Sequence, residues 1–342
     1  MLGNNATSRI SAQCKCKGII FDLDDTLVPT SSIDKHAVAS AARLAANLVP
    51  NITATLNGED ALADRFRSLL KAEPFPPTAS GGIEITVACW RSMLWARAIW
   101  PPESALGSAE ISHVLDCIQH SAENSGECCS ISASEVAFQP THVKNAETAK
   151  LVHDRWCERR LQSFRFPESI ANLILELRLQ DGYELAIVTN GHSDVQRPKL
   201  ERCGAANLFA SSDRLIIAGD FPAMKPDKAV FLAAAAAMGV DIGEAIMVGD
   251  SLRCDIGGGN AAGCLATIHV KSCPMPEDTP QVGVSRGQEA PALSNSFASS
   301  FWDKPASESE AKKSANTETP TASINSVLDL RPILAMLNES ST

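Results

Sequence analysis

The chain has 342 residues, and 30 Lys and Arg against 40 Asp and Glu give it a net charge of −10. With 44% hydrophobic and 20% charged residues it has the composition of a globular protein long enough for two cores. The acidity argues against a nucleic-acid partner, whose binding surfaces carry a basic excess, and no run approaches the ~18 apolar residues of a membrane span.

Residues 1–17 lack an apolar signal-peptide region and read as a flexible leader. Lys17-Gly-Ile-Ile-Phe-Asp22 is a short apolar run ending in acid, the pattern of a buried parallel strand. Helical spacing follows over 33–48, 61–72, 83–100 and 147–164. Four of the five tryptophans (Trp90, Trp95, Trp100, Trp156) fall in this stretch, which predicts a helical cap over 31–165 with a small core of its own. From Pro167 the pattern alternates. Helices are predicted over 168–180, 194–203, 227–238 and 255–262, and strands over 185–188, 214–217, 245–248 and 265–270. Apolar strands separated by helices imply a parallel sheet covered on both faces. The expected fold is therefore α/β, a Rossmann-like parallel core (18–30 and 166–273) with an inserted α-helical cap. Residues 274–323, rich in Pro, Ser, Glu, Ala and Thr, read as a disordered low-complexity insertion. Residues 324–338 resume an amphipathic pattern and are predicted to dock on the core as a helix. The eleven cysteines have no C-x-x-C spacing and read as free thiols in a reducing compartment, the cytoplasm.

Four polar segments each sit at the end of a predicted strand or the start of a predicted helix: Asp22-Leu-Asp-Asp-Thr26, Thr189-Asn-Gly191, Lys225-Pro-Asp227 and Gly249-Asp-Ser-Leu-Arg-Cys-Asp255. Open parallel sheets bind ligands outside the carboxyl ends of their strands, so topology brings these segments to one crevice. Asp22 and Asp24 share a side of their strand, and Asp250 joins them. Three carboxylates at close range require a cation, and an all-oxygen set favours Mg2+. Thr189 adds a hydroxyl, Asn190 an amide and Lys225 a fixed charge, suited to the oxygens of a phosphoryl group. Asp22 is placed as nucleophile and Asp24 as general acid and base. Asp255 is read as acting through water or by positioning Lys225.

These segments, in this order, resemble the motifs of the haloacid dehalogenase superfamily. Phe21-Asp-Leu-Asp-Asp-Thr-Leu27 is similar to its first motif, Thr189 to its second, Lys225 to its third, and Gly249-Asp250 with Asp255 to its fourth. The resemblance implies the core fold, Mg2+ held by Asp22, Asp250 and the backbone carbonyl of Asp24, and an aspartyl-phosphate route. It also implies phosphate contacts from Leu23 (backbone amide), Asp24, Thr189, Asn190 and Lys225. The stretches Trp156-Cys-Glu-Arg-Arg-Leu-Gln162, Val248-Gly-Asp-Ser251 and Asp255-Ile-Gly-Gly-Gly-Asn-Ala-Ala-Gly263 further resemble the superfamily's N-acylneuraminate phosphatase branch. The expectation is a phosphomonoesterase for a small phosphorylated metabolite, an acylated sugar-acid phosphate first. A phosphatase for phosphoglycolate, a nucleotide or another sugar, a phosphomutase, or a binding protein on the same fold are the alternatives. Outside the motifs, the cap tryptophans read as core, Arg155, Arg159 and Arg160 as a solvated helix face or a carboxylate clamp, and Cys254 as a packing residue.

Overall fold

The computed structural model describes residues 16–49, 58–73, 86–100, 112–116, 118, 140–275 and 318–339. Its strands, among the described residues, are β1 (Gly18–Phe21), β2 (Glu184–Thr189), β3 (Leu215–Ile217), β4 (Ala245–Gly249), β5 (Ala266–Val270) and β6 (Ala322–Ile324). They form one parallel sheet in the order β3-β2-β1-β4-β5-β6. Every residue of β1 and β4 is buried, which is why both segments read as unbroken apolar runs rather than alternating ones. The order reverses beside β1, between β2 and β4, and such a switch point opens a crevice at the strand ends.

Helices α1 (Thr30–Leu48), α2 (Glu59–Ala72), α3 (Val87–Ile99) and α4 (Pro140–Ser163) lie between β1 and the rest of the sheet in sequence. They share a hydrophobic cluster separate from that of the sheet. At its centre Phe66 stacks on Trp95, ring centroids 3.8 Å apart, and meets Trp156 edge-on at 5.2 Å. Trp90, Trp95, Trp100 and Trp156 are all buried there, so these rings pack the helices together. Helices α5 (Glu168–Leu179), α6 (Ser193–Arg202), α7 (Ala205–Leu208), α8 (Lys228–Met238) and α9 (Gly258–Ala262) connect the strands, and α10 (Leu330–Glu339) follows β6. The side chain of Asp227 accepts from the Ala229 amide at 2.8 Å and so starts α8.

Some boundaries differ from those predicted. Helix α1 begins at Thr30, directly after Pro29, because proline's fixed φ suits a helix entry and the polar Thr30-Ser-Ser32 continues into it. Helix α4 starts seven residues earlier than the spacing indicated. Residues 252–257 wind as a π-helical turn before α9, pinned by the Cys254 amide donating to Ser251 Oγ at 3.0 Å. Glu318 to Ser323 lie inside the span read as disordered, yet the structure places them in order along the sheet edge. Thr321 N donates to Thr267 O at 2.8 Å, and β6 pairs with β5. The remainder of that span from residue 276, and residues 1–15 of the expected leader, lie outside the described residues.

Candidate active site

Asp22 follows β1 directly, and its amide donates to Val248 O of β4 at 2.9 Å. The carboxylate is thereby set at the switch point, and it is only 5% exposed. The Lys225 ammonium reaches it from the loop before α8. It donates to Asp22 Oδ1 at 2.6 Å, to Asp255 Oδ1 at 2.7 Å and to Val188 O at 2.8 Å. An ammonium has three protons, and all three are used. Asp255 Oδ2 accepts from the Ser251 amide at 3.0 Å, which fixes the far end of the clamp. Gly249 makes room for it, since a Cβ there would lie 2.3 Å from Asp255 Oδ2.

Carboxylate oxygens of Asp22, Asp250 and Asp255 lie within 4.8 Å of one another. Burial pushes the Asp22 carboxyl up to about 7. Lys225 opposes that shift, while the charges of Asp255 and Asp24 add to it. A small hard cation bound by these oxygens would relieve the repulsion, so the residues fit Mg2+. The group is not the one read from strand alternation. The Asp24 side chain stands in a different cluster, and Asp255 joins the carboxylates in its place.

Asp24 is 7% exposed and held on every side. Oδ1 accepts from Thr30 Oγ1 at 2.6 Å and from Lys199 Nζ at 2.7 Å. Oδ2 accepts from Gln196 Nε2 and from Lys199 Nζ, both at 2.9 Å. An ionised carboxylate offers about four lone-pair sites, and all are filled. Burial would raise this carboxyl. The Lys199 ammonium, the bonds from Lys199 and Thr30 and the field of Arg160 instead hold it down at about 2. Lys199 is itself only 2% exposed, and burial pulls its ammonium below the ordinary lysine range. Sequence reading missed Lys199 and Gln196. The available signal was their spacing with Leu200 along α6, which puts Gln196, Lys199 and Leu200 on one buried face.

Thr189 ends β2 fully buried, and its hydroxyl has no hydrogen-bond partner among the described residues. Asn190 does not present its amide freely. Its Nδ2 donates to Lys225 O at 3.0 Å while its Oδ1 accepts from Lys225 N at 2.9 Å, so it braces the lysine loop. Gly191, at φ 127°, occupies a region open essentially to glycine and turns the chain into α6. The Leu23 side chain is buried in the sheet core, and its carbonyl accepts from Leu27 N and Val28 N, closing the loop after β1. In the cap, Arg160 is not on a solvated face. It is buried and donates from Nη2 to Asp34 Oδ2 at 3.2 Å, whereas Arg155 pairs with Glu158 on the surface. Among the described residues no helix is long and apolar enough to cross a membrane.

A parallel sheet with an inserted helical unit, and acidic residues gathered at its switch point, defines a hydrolase class that a family comparison identifies. The model for haloacid dehalogenase-like hydrolases matches residues 16–263, and the chain belongs to that family. It is 33% identical to N-acylneuraminate-9-phosphatase of Rattus norvegicus over 169 residues, a match spanning 48% of this chain and 66% of the relative, just under two thirds. It is 28% identical to phosphoserine phosphatase of Thermus thermophilus over 262 residues, 77% of this chain and 91% of the relative. A solved phosphatase of the family from Thermococcus onnurineus aligns over 93% of this chain and 97% of its own, with 17% identity and a TM-score of 0.45.

Proposed function

We propose that the chain is a Mg2+-dependent phosphomonoesterase that hydrolyses a small phosphorylated metabolite through an aspartyl-phosphate, with N-acylneuraminate 9-phosphate as its substrate. The observation that carries the reading is the buried, unpartnered Thr189 hydroxyl beside a carboxylate clamped by Lys225. A donor kept dry at the mouth of such a site calls for an anionic acceptor, and a phosphate oxygen supplies one. The similarity to the N-acylneuraminate phosphatases supports this choice of substrate.

In this mechanism Asp22 Oδ attacks phosphorus and the ester oxygen leaves with a proton from Asp24. Asp24 then takes a proton from the water that attacks the acyl phosphate, which frees Asp22 and inorganic phosphate. Asp24 rests ionised, held at about 2 by Lys199, so its acid role requires that it first give up the Lys199 contact and take up a proton. Lys225 orients the nucleophile, Asp255 orients Lys225, and Asn190 fixes the backbone that carries it. Thr189 donates to the transferring group, together with the backbone amide of Leu23. Mg2+, if held by the carboxylates of Asp22 and Asp250 and the backbone carbonyl of Asp24, with Asp255 beside them kept on Lys225, would supply the positive charge that offsets repulsion between Asp22 and a phosphate dianion.

The test is hydrolysis of an aryl phosphate with and without Mg2+, in wild type and Asp22→Asn. Metal-dependent turnover that the substitution abolishes is expected, because an amide does not attack phosphorus. Equal rates in the two proteins would remove Asp22 as nucleophile. A panel of N-acylneuraminate 9-phosphate, phosphoserine, phosphoglycolate and nucleotides then ranks substrates by kcat/KM, and a preference for any of the others overturns the substrate assignment.

A further inference from the structure

Helix α4 carries a second chemical group that the phosphatase reading does not use. His153 and Cys157 lie one turn apart, with Nε2 of the ring 3.3 Å from the sulfur. Nδ1 of the same ring lies 3.2 Å from Asp154 Oδ1. A carboxylate only accepts, so Nδ1 carries a proton and Nε2 faces the sulfur as its base. Two guanidiniums flank the pair. Arg91 from α3 sits 5.0 Å from the Trp156 ring centroid and Arg160 sits 5.6 Å from it. Arg91 Nε is shut off from solvent and has no hydrogen-bond partner among the described residues. Asp34 of α1 is the carboxylate that Arg160 takes. The charges of Arg91 and Arg160 favour negative charge on the Cys157 sulfur.

The other thiols provide the contrast. Burial pushes Cys16, Cys203 and Cys264 up to about 12. Burial also works on Cys157, yet the His153 bond and the charges of His153, Arg91 and Arg160 bring it below the ordinary thiol range. The residue keeps part of its surface in solvent, so a small reagent has access.

We propose that Cys157, backed by His153 and Asp154, is a reactive thiol site in the cap that hydroperoxides oxidise to a sulfenic acid. The thiol proton passes to His153 Nε2, and the sulfur attacks the near peroxide oxygen. The O–O bond breaks, and the departing oxygen takes the proton back from His153, giving a sulfenic acid and an alcohol or water. The sulfur gives up two electrons and the peroxide accepts them.

The test is peptide-resolved alkylation of the full chain by iodoacetamide between pH 6 and 9. At pH 7 Cys157 is expected to react at least about tenfold faster than Cys16, Cys203 and Cys264, tenfold being one pKa unit of thiolate. His153→Gln is expected to slow Cys157 about fivefold or more and to move its pH profile upward. Asp154→Asn, on an exposed side chain, should act in the same direction and decides the matter if the His153 variant does not fold. Stoichiometric hydrogen peroxide followed by dimedone should mark Cys157. Alkylation of Cys157 no faster than Cys16, Cys203 and Cys264, an unchanged rate in a folded variant, or no dimedone adduct at this residue each overturns the proposal.

Discussion

Replacing Lys199 by Met removes the ammonium from a carboxylate that keeps two of its four hydrogen bonds, those from Thr30 and Gln196. In the native protein Asp24 is held at about 2 against 3.8 for a free carboxyl, and at ~1.4 kcal/mol per unit the folded surroundings favour its charge by about 2 kcal/mol. Without Lys199 the charge stays buried beside Thr30 and Gln196 alone, and breaking one side of a buried pair costs ~3–5 kcal/mol. The sign with pH discriminates this from loss of packing. Native Asp24, with its folded pKa depressed, contributes stability that is present above 3.8 and lost as pH falls through about 2. In Lys199→Met burial raises the carboxyl above 3.8 instead, so the folded variant takes up a proton on acidification and recovers. Urea unfolding of both proteins at pH 7 and at pH 4.5 measures the difference. The deficit is expected to be largest at pH 7 and clearly smaller at pH 4.5. An equal deficit at both values, or one under ~1 kcal/mol at pH 7, would refute the electrostatic account of this pair.

Three further outcomes follow from the same geometry. Thr189→Val removes a hydroxyl that has no partner, so unfolding free energy should change by less than about 1 kcal/mol while kcat/KM on a phosphate ester falls about 10- to 100-fold, the worth of one hydrogen bond to a charged group. Gly249→Ala drives a Cβ to 2.3 Å from Asp255 Oδ2 and dislodges the carboxylate from Lys225; a calorimetric scan should show stability lower by about 3 kcal/mol or more, with turnover lost. Mg2+ at about 100 times its dissociation constant should stabilise the wild type by about 2.7 kcal/mol, read as a rise in Tm, and the rise should vanish in Asp250→Asn.

The sheet was legible because β1, β2 and β4 are almost wholly buried and write themselves as apolar runs closed by polar motifs. Strand β6 was not. Ala322-Ser-Ile324 is three residues at the end of a polar, proline-rich composition, too short for any periodicity to emerge. In the site, Asp22, Thr189, Lys225 and Asp250 announce themselves by their positions at strand and helix ends. The partition of the carboxylates did not. Strand alternation put Asp24 beside Asp22, but alternation stops where β1 stops, at Phe21, and the loop aims Asp24 towards α6 instead. Lys199 sits in the charged string Ser193-Asp-Val-Gln-Arg-Pro-Lys199, which reads as a wet face. Its spacing with Gln196 and Leu200 marks a buried face, and the Asp24 carboxylate explains why a lysine there is dry.

The three contacts of Lys225 also explain why no other cation would serve. Its acceptors lie just after β1, near the end of strand β2 and in the turn after β4, so one nitrogen works as a tripod bolting three strands of the sheet together. A tetrahedral ammonium can aim at three corners, whereas the flat fork of an arginine cannot. The same enclosure hides that amine from acylating reagents, so chemical labelling of surface lysines should leave the heart of the enzyme untouched.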